Sequence, residues 1–324
     1  MNNKENVKRG NALFLAIVVA YLILNIGIGL VANIFNISFT YIQLILIAQI
    51  GYALPAIVYA FNKKQPIRSQ IRFKKVNVLS VVMLIIFAFA IQPLMTLLNA
   101  LSLLIGENTI SSTVTGMLDQ TSFIFCWLAI GVLPAILEEF VYRGVIYNEQ
   151  RKGNAIKAIL CSGLFFGLLH MNINQFSYAF VMGIILALVV EATGSIVSSM
   201  IVHATINSFS VVITKIQPYL LDYLAKMQEK LGQEVEKVDT TLTRSDIISA
   251  LPSYVVSAVF ATAFAAFIYF LLVKYNERQA EVKAIFCCSQ EEKQERKQAP
   301  FADVFFILAV TICVVVMLLL EFAQ

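Results

Sequence analysis

Charged residues are scarce in this sequence of 324 residues, because only 14% are Asp, Glu, Lys or Arg whereas 59% are hydrophobic. A soluble domain carries about a quarter charged residues, so the composition excludes an ordinary soluble protein. The formal net charge of +4 is small for this length, and the basic residues lie between apolar blocks. This distribution argues against nucleic-acid binding.

Cysteine is also rare, and its spacing excludes two classes of site. Cys126, Cys161 and Cys313 lie inside apolar blocks, where cysteine usually acts as a small hydrophobic residue. Cys287 and Cys288 are adjacent in a charged segment. No C-x-x-C pair is present, so the sequence indicates neither a disulfide framework nor a cysteine-bound metal.

The apolar residues form long blocks, and several exceed the ~18 residues that mark a membrane span. Backbone groups in lipid satisfy their own hydrogen bonds, so these blocks are predicted to be helices. The fifth to seventh blocks are short, and one of them could be tilted, broken or re-entrant. The sequence predicts an all-α polytopic membrane protein with eight or nine transmembrane helices and its active site in the core of the helix bundle. The nine blocks are 11–35, 39–61, 77–105, 122–147, 155–171, 175–192, 194–214, 252–273 and 301–321.

Orientation follows from the loop after the second block, because short cytoplasmic loops are rich in Lys and Arg. This loop contains six basic residues and no acid: Lys63, Lys64, Arg68, Arg72, Lys74 and Lys75. We therefore expect an integral protein of the bacterial plasma membrane with a cytoplasmic N-terminus. The predicted organisation is a cytoplasmic tail (1–10), N-terminal helices (11–119), a catalytic core (120–214), an external segment (215–250) and C-terminal helices (251–324) with a charged cytoplasmic loop (274–300).

Ionisable residues cluster in three of the blocks. A charge near the centre of the bilayer costs ~2.5–3.5 kcal/mol on insertion scales, so such residues indicate a functional site. At 1.5 Å per residue, Glu138 and the two histidines lie ~12–20 Å from the inner surface, which allows them to meet. The histidines are the only two in the chain. The polar residues of the cluster are Glu138, Glu139, Arg143, His170, His203 and Asn207.

Helical spacing assigns partners within this cluster. Glu139 and Arg143 are separated by four residues, so they share a face and can pair. Glu138 is rotated by ~100° from Glu139 and is free to face another group. His203 and Asn207 are also four residues apart and point the same way.

Two further features concern the packing around the cluster. Gly163 and Gly167 form a stripe of small residues that ends at His170, and such stripes let another helix approach closely. Pro134 lies four residues before Glu138, where it removes a backbone donor and is expected to kink the helix.

These residues permit hydrolysis by either of two routes. In the first, Glu138 acts as general base and holds a water with His170, while His203 and Asn207 donate hydrogen bonds to the oxyanion. In the second, Glu138, His170 and His203 bind a catalytic metal such as zinc. The residue types alone are compatible with both.

The pairing of Glu139 with Arg143 favours the metal-free route. A catalytic zinc needs three firm protein ligands, so both histidines and one glutamate would have to bind it. Because Arg143 is placed to occupy Glu139, Glu138 would then have to act both as ligand and as base. We therefore expect no cofactor, and a divalent metal such as zinc stays the alternative.

Each feature also has a plainer explanation when it is taken alone. The Glu139 and Arg143 pair could be a structural ion pair, and a single histidine or Asn207 could simply join helices. The combination of these groups on three helices favours a peptidase over a transporter or channel, in which internal repeats are frequent and none is found here.

Three sequence motifs resemble those of the CPBP family, the CAAX protease and bacteriocin-processing enzymes also called the Abi family. The segments are EEFVYR (138–143), FGLLH (166–170) and HATIN (203–207), which match the EExxxR, FxxxH and HxxxN motifs in order and spacing. The resemblance covers about residues 120–214.

The resemblance implies an intramembrane endopeptidase related to the type II CAAX prenyl endopeptidase, acting on a membrane-associated peptide or protein. It implies that Glu138 and His170 activate water, that His203 and Asn207 stabilise the oxyanion, and that Glu139 and Arg143 support them. The family is often labelled metal-dependent. Its non-catalytic immunity or scaffold members provide the alternative function.

Overall fold

The computed structural model describes residues 3–63, 66–106, 109–231, 243–287 and 302–322. Every regular element in these ranges is a helix, which confirms the predicted all-α class. Eight of the described helices are long and apolar enough to cross a membrane, and a ninth apolar helix, Ala155–Leu169, is shorter. The protein is therefore an integral membrane protein.

The long helices follow the predicted blocks closely. They are Asn3–Phe35, Tyr41–Phe61, Val78–Ser102, Phe123–Arg151, Ile173–Thr193, Ile196–Lys230, Arg244–Tyr275 and Val304–Phe322. Three short helices, Ile67–Gln70, Thr109–Gln120 and Gln279–Phe286, lie between them. The sequence did not predict the helix Thr109–Gln120.

Three predicted boundaries do not coincide with helix ends, and one of them is at residue 251, because the helix there begins at Arg244. Residues from Asn3 onward belong to the first long helix, so the predicted tail is mostly helical. The helix Ile196–Lys230 continues well beyond 214 because 215–230 consists largely of helix-forming residues. The predicted core and the predicted external segment are therefore joined by one continuous helix. Residues 232–242 and 288–301 lie outside the described ranges.

The third span is broken in the middle. Its two parts are Val78–Ala90 and Gln92–Ser102, and Pro93 follows the break at Ile91. Proline has no N–H to donate to the carbonyl four residues before it, so the helix cannot continue straight through this point. The first part packs against Ile196–Lys230, and both parts pack against Arg244–Tyr275.

The three sequence motifs lie on three helices, which we call the first (Phe123–Arg151), second (Ala155–Leu169) and third (Ile196–Lys230) motif helices. The connecting helix, Ile173–Thr193, joins the second to the third. These four helices pack on one another and form the centre of the bundle.

Polar caps fix where the motif helices begin and end. The side chains of Asn154, Asn172 and Ser195 accept hydrogen bonds from backbone N–H groups at the starts of the second motif helix, the connecting helix and the third motif helix. The second motif helix ends at His170, and Met171 turns the chain with φ of 49°. His170 is therefore held at a tight turn.

The glycines of the second motif helix permit the close approach that was predicted. A Cβ atom at Gly163 would lie 2.6 Å from the carbonyl oxygen of Phe180, and one at Gly167 would lie 3.1 Å from that of Phe176. A Cβ at Gly183 would lie 2.6 Å from the Cα of Gly163. The second motif helix and the connecting helix therefore meet backbone to backbone.

Glu191 closes one end of this group of helices. Its buried carboxylate accepts hydrogen bonds from Arg72 at 2.6 Å, from Tyr147 at 2.9 Å and from Arg151 at 2.7 and 2.8 Å. Ser195 adds a second connection, because its hydroxyl donates to the backbone oxygen of Lys74 at 2.6 Å. The loop before the third span is thus attached to the ends of the motif helices.

Candidate active site

The first motif helix is irregular around its two glutamates. Two π-helical stretches, Trp127–Val132 and Phe140–Ile146, flank a short α-helical stretch, Leu133–Glu139. Such wide turns inside an α-helix occur frequently at functional sites. Glu138 and Glu139 emerge from this stretch on different faces, so that Glu139 is fully buried and Glu138 lines a cavity.

Glu139 and Arg143 form the predicted pair. Arg143 Nη1 donates to Glu139 Oε1 at 2.7 Å, and both side chains are fully buried. Arg143 also donates from Nη2 to the carbonyl oxygen of Gly183 at 3.0 Å. Its guanidinium lies 4.5 Å from the ring centroid of Phe166, within the range of a cation–π interaction. Arg143 therefore connects the first motif helix to the other two helices beside it.

His203 lies between the two glutamates. Its Nδ1 is 3.0 Å from Glu139 Oε1, and its Nε2 is 3.9 Å from Glu138 Oε2. Because a carboxylate only accepts hydrogen bonds, Nδ1 carries a proton and donates to Glu139. The longer distance to Glu138 leaves Nε2 available for another partner.

His170 also lines the cavity. Its Nδ1 is 2.7 Å from the backbone oxygen of Phe166, so Nδ1 donates and Nε2 is the acceptor in the neutral ring. The Phe166 ring contacts both imidazoles edge to face. Its centroid lies 5.1 Å from the ring centroid of His170 and 5.6 Å from that of His203. The aromatic residue of the second motif thus positions both histidines.

Asn207 reaches across to the first motif helix. Its Nδ2 donates to the carbonyl oxygen of Ile130 at 3.2 Å. One residue further on, Ser208 accepts a hydrogen bond from the indole N–H of Trp127 at 2.8 Å. These two bonds attach the third motif helix to the π-helical stretch that precedes the glutamates.

A cavity of about 580 Å³ lies between the motif helices. Glu138, His170, His203 and Asn207 line it. Glu139 and Arg143 do not line the cavity. Glu139 contacts His203, and Arg143 contacts Glu139. All six residues predicted from the sequence therefore belong to one constellation, in which four face the cavity and two support them.

Residues 120–209 match the family described as type II CAAX prenyl endopeptidase Rce1-like. This match confirms the resemblance derived from the three motifs, and it indicates a CAAX-protease-type intramembrane endopeptidase at the level of the family. The Rce1-like region contains all six residues of the constellation and less than a third of the chain. No curated protein and no solved structure matches the chain significantly.

The Rce1-like region does not assemble a three-ligand metal site in this structure. Among the described residues, no group of three or more His, Cys, Asp or Glu side chains is close enough to hold a metal ion. His170 and His203 each use Nδ1 for a carbonyl or carboxylate partner, as metal-binding histidines commonly do. The ligand set considered from the sequence, Glu138, His170 and His203, nevertheless does not converge on one point.

Three polar residues near the site lie outside the Rce1-like region, and the sequence did not single them out. Gln49 lines the cavity and donates from Nε2 to the backbone oxygen of Ala129 at 3.1 Å, while its Oε1 has no partner. Gln92 lines the cavity with a buried Nε2 that has no partner. The buried hydroxyl of Tyr52 lies close to Glu138 and makes no hydrogen bond of standard geometry. The one sequence signal was the spacing of Gln49 and Tyr52 on one face of an apolar helix.

Proposed function

We propose that this protein is an intramembrane endopeptidase that hydrolyses a peptide bond in a membrane-associated peptide or protein, using a water activated by Glu138 and His170. The observation that carries the proposal is the position of His203, between the buried Glu139 at 3.0 Å and the cavity-lining Glu138 at 3.9 Å. The His203 imidazole thus links the ion pair of Glu139 and Arg143 to the cavity.

The hydrogen bonds of the two histidines support different roles for them. His170 donates from Nδ1 to a backbone carbonyl, which leaves Nε2 as an acceptor for a proton of the attacking water. Glu138 accepts the other proton of this water and acts as general base. The water oxygen then attacks the carbonyl carbon of the substrate, and its proton passes to Glu138.

The position of His203 supports it as an oxyanion donor. Its Nδ1 is held by the buried Glu139, and its Nε2 faces the side of the cavity-lining Glu138. With a proton on Nε2, His203 donates to the negatively charged oxygen of the tetrahedral intermediate. Asn207 contributes the N–H that it does not use for Ile130.

Collapse of the intermediate completes the reaction. The carbon–nitrogen bond breaks, and Glu138 returns its proton to the leaving amine nitrogen. The products are a new carboxyl terminus and a new amino terminus. Glu139 and Arg143 take no part in the bond changes, because they lie behind His203 and fix its ring.

Reconstituted protein and a panel of membrane-inserted peptides test this function. Wild-type protein should cut at least one peptide, and Glu138→Gln should abolish the cleavage. A matched control is Glu281→Gln, because Glu281 is a surface glutamate paired with Arg278 away from the cavity. Cleavage that survives Glu138→Gln would contradict the proposed role of Glu138, and failure of the wild-type protein to cut any peptide would favour a non-catalytic scaffold or immunity protein.

A further inference from the structure

The third span and the third motif helix are in contact before the break at Ile91 and separate after it. Val78–Ala90 packs along the third motif helix, and this contact includes the edge-to-face pair Phe89 and Phe209, with ring centroids 5.6 Å apart. After the break, Gln92–Ser102 packs chiefly on Arg244–Tyr275 and on the connecting helix. A gap therefore widens between the third span and the third motif helix above Phe209.

We call this gap the wedge. It is the part of the cavity wall formed by Gln92, Thr96, Phe209, Ser210 and Ile213. All of these except Gln92 are exposed residues, although they also line the cavity. A residue that is exposed on the outer surface of a bundle in a membrane faces lipid, so the cavity reaches the lipid phase through the wedge.

The opposite end of the cavity is closed. Beyond Glu138 and His203 lie Tyr142, Arg143 and Tyr147, which are at most 2% exposed. Glu191 and its arginine partners seal the bundle further toward that end. The wedge is therefore the side from which a long peptide segment can reach Glu138.

Polar atoms without partners lie in the wedge and elsewhere on the wall of the cavity that it opens into. Gln49 is only 6% exposed and presents an unpaired Oε1, and Gln92 presents an unpaired, buried Nε2. Buried polar groups without partners are costly, so such atoms indicate a partner that is absent from the free protein. One is an acceptor and the other a donor, which is the complement of the N–H and C=O groups of a peptide backbone.

A helical substrate supplies these groups only when it unwinds. In lipid each backbone N–H and C=O is paired within the helix, and the scissile bond becomes accessible only after some of these pairs open. Gln49 and Gln92 can then replace the lost partners. Because both glutamines line the cavity, the substrate can unwind as it enters the cavity.

We propose that the wedge is a lateral entrance for a membrane-embedded peptide segment, whose backbone unwinds there and is held by Gln49 and Gln92. The loops that contain Arg72 and Lys152 lie at the closed end of the cavity. With those basic loops in the cytoplasm, the entrance opens in the outer half of the bilayer. The substrate class is thus a transmembrane segment that is weakly helical in its outer half. The proposal rests on the peptidase function only for the cleavage that follows entry.

Photo-crosslinking tests the entrance independently of cleavage. A photoreactive amino acid is placed at Ile213 in the Glu138→Gln protein, which is then reconstituted in vesicles with a single-span peptide of about 20 apolar residues. Val212 is the matched control position, because it is the neighbouring residue, is 38% exposed against 40% for Ile213, and does not line the cavity. Two peptides, with glycines in the outer or in the inner half, test which half is recognised.

The expected result is capture at Ile213 in clear excess over Val212, and a preference for the peptide with glycines in its outer half. Gln92→Met should weaken capture roughly five-fold, because it removes one donor whose loss leaves the free protein intact. Equal capture at Ile213 and Val212 would overturn the entrance. Preference for the peptide with inner glycines would overturn the assigned side. Capture by the wedge without cleavage by wild-type protein would contradict the peptidase function alone.

Discussion

Asn207 donates a hydrogen bond to the carbonyl oxygen of Ile130, a carbonyl that cannot receive the usual α-helical bond from residue 134 because that residue is Pro134. In a regular helix the N–H of residue 134 would bond to the carbonyl of residue 130, and proline has no N–H to give. The side chain of Asn207 donates to this carbonyl at 3.2 Å from the neighbouring helix. The last residue of the HxxxN motif therefore stabilises the irregular part of the EExxxR helix as well as facing the cavity.

These two roles of Asn207 can be separated by a second substitution. Asn207→Ala should lower turnover by about 10²–10³, the usual loss for one oxyanion donor. It should also destabilise the protein by about 0.5–1.5 kcal/mol, because the hydrogen bond between the two motif helices is lost. Adding Pro134→Ala restores a backbone donor, so thermal unfolding should recover while turnover should not. Recovery of turnover in the double variant, compared with Pro134→Ala alone, would show that Asn207 acts only on the helix.

The two adjacent glutamates should differ in what their loss does. Glu138→Gln should abolish turnover and leave the melting temperature nearly unchanged, because the amide keeps the shape of the cavity wall. Glu139→Gln should cost about 3–5 kcal/mol of unfolding free energy, since Arg143 then stays buried without its charge partner. Thermal unfolding in detergent and cleavage assays measure both effects. Equal melting temperatures for the two variants, at equal loss of turnover, would contradict this division of roles.

Chelation should leave the proposed peptidase activity of the purified protein unchanged. The reason is the donor set, since Glu138, His170 and His203 do not converge and Arg143 holds Glu139. Elemental analysis of purified protein, with cleavage assays before and after chelator, makes the measurement. Stoichiometric zinc that is lost together with activity, and restores it when added back, would refute the metal-free mechanism.

The orientation of the chain can be measured with an impermeant thiol reagent. In a Cys287→Ser, Cys288→Ser background, Lys226→Cys should be labelled from outside intact cells and Ser69→Cys should not. Both positions are exposed on the protein surface, so a difference in labelling reports the side of the membrane. The reverse pattern would place the basic loops, and with them the closed end of the cavity, outside.

Glu191 should matter for stability more than for chemistry. Glu191→Gln removes the charge that Arg72 and Arg151 share and should cost about 1.5–3 kcal/mol of unfolding free energy. The surface glutamate Glu281 is the control, and its change to Gln should cost less than about 1 kcal/mol. A large loss of turnover in Glu191→Gln without any change in thermal unfolding would show that this cluster acts on the site directly.

The fold was largely predictable because long apolar blocks leave the chain little choice but membrane helices. What hydropathy did not show is how a span is interrupted. The break at Ile91 lies inside a continuous apolar run, and the extension of the third motif helix beyond 214 is amphipathic. The break leaves the hydropathy of its block high, whereas the extension lies beyond its apolar block, where hydropathy falls although the helix continues.

The site was predictable where its residues share a helix face. The pair Glu139 and Arg143 follows from spacing alone, because four residues make about one helical turn. The contacts of Gln49, Tyr52 and Gln92 depend on how separate helices pack, which spacing within one helix does not encode. Glu191 escaped notice because a single acid near the end of an apolar helix is common, and its arginine partners lie far away in sequence.

The backbone contact between Gly163 and Gly183 has a consequence for the charges of the site. Arg143 donates to the carbonyl of Gly183, so the position of the connecting helix sets where the guanidinium lies. A methyl group at Gly163 would lie 2.6 Å from the oxygen of Phe180 and would push that helix outward. Arg143 would then be unable to keep both of its hydrogen bonds, one to Glu139 and one to the Gly183 carbonyl. Gly163→Ala changes no charge, yet it would thus alter the electrostatic environment of Glu139.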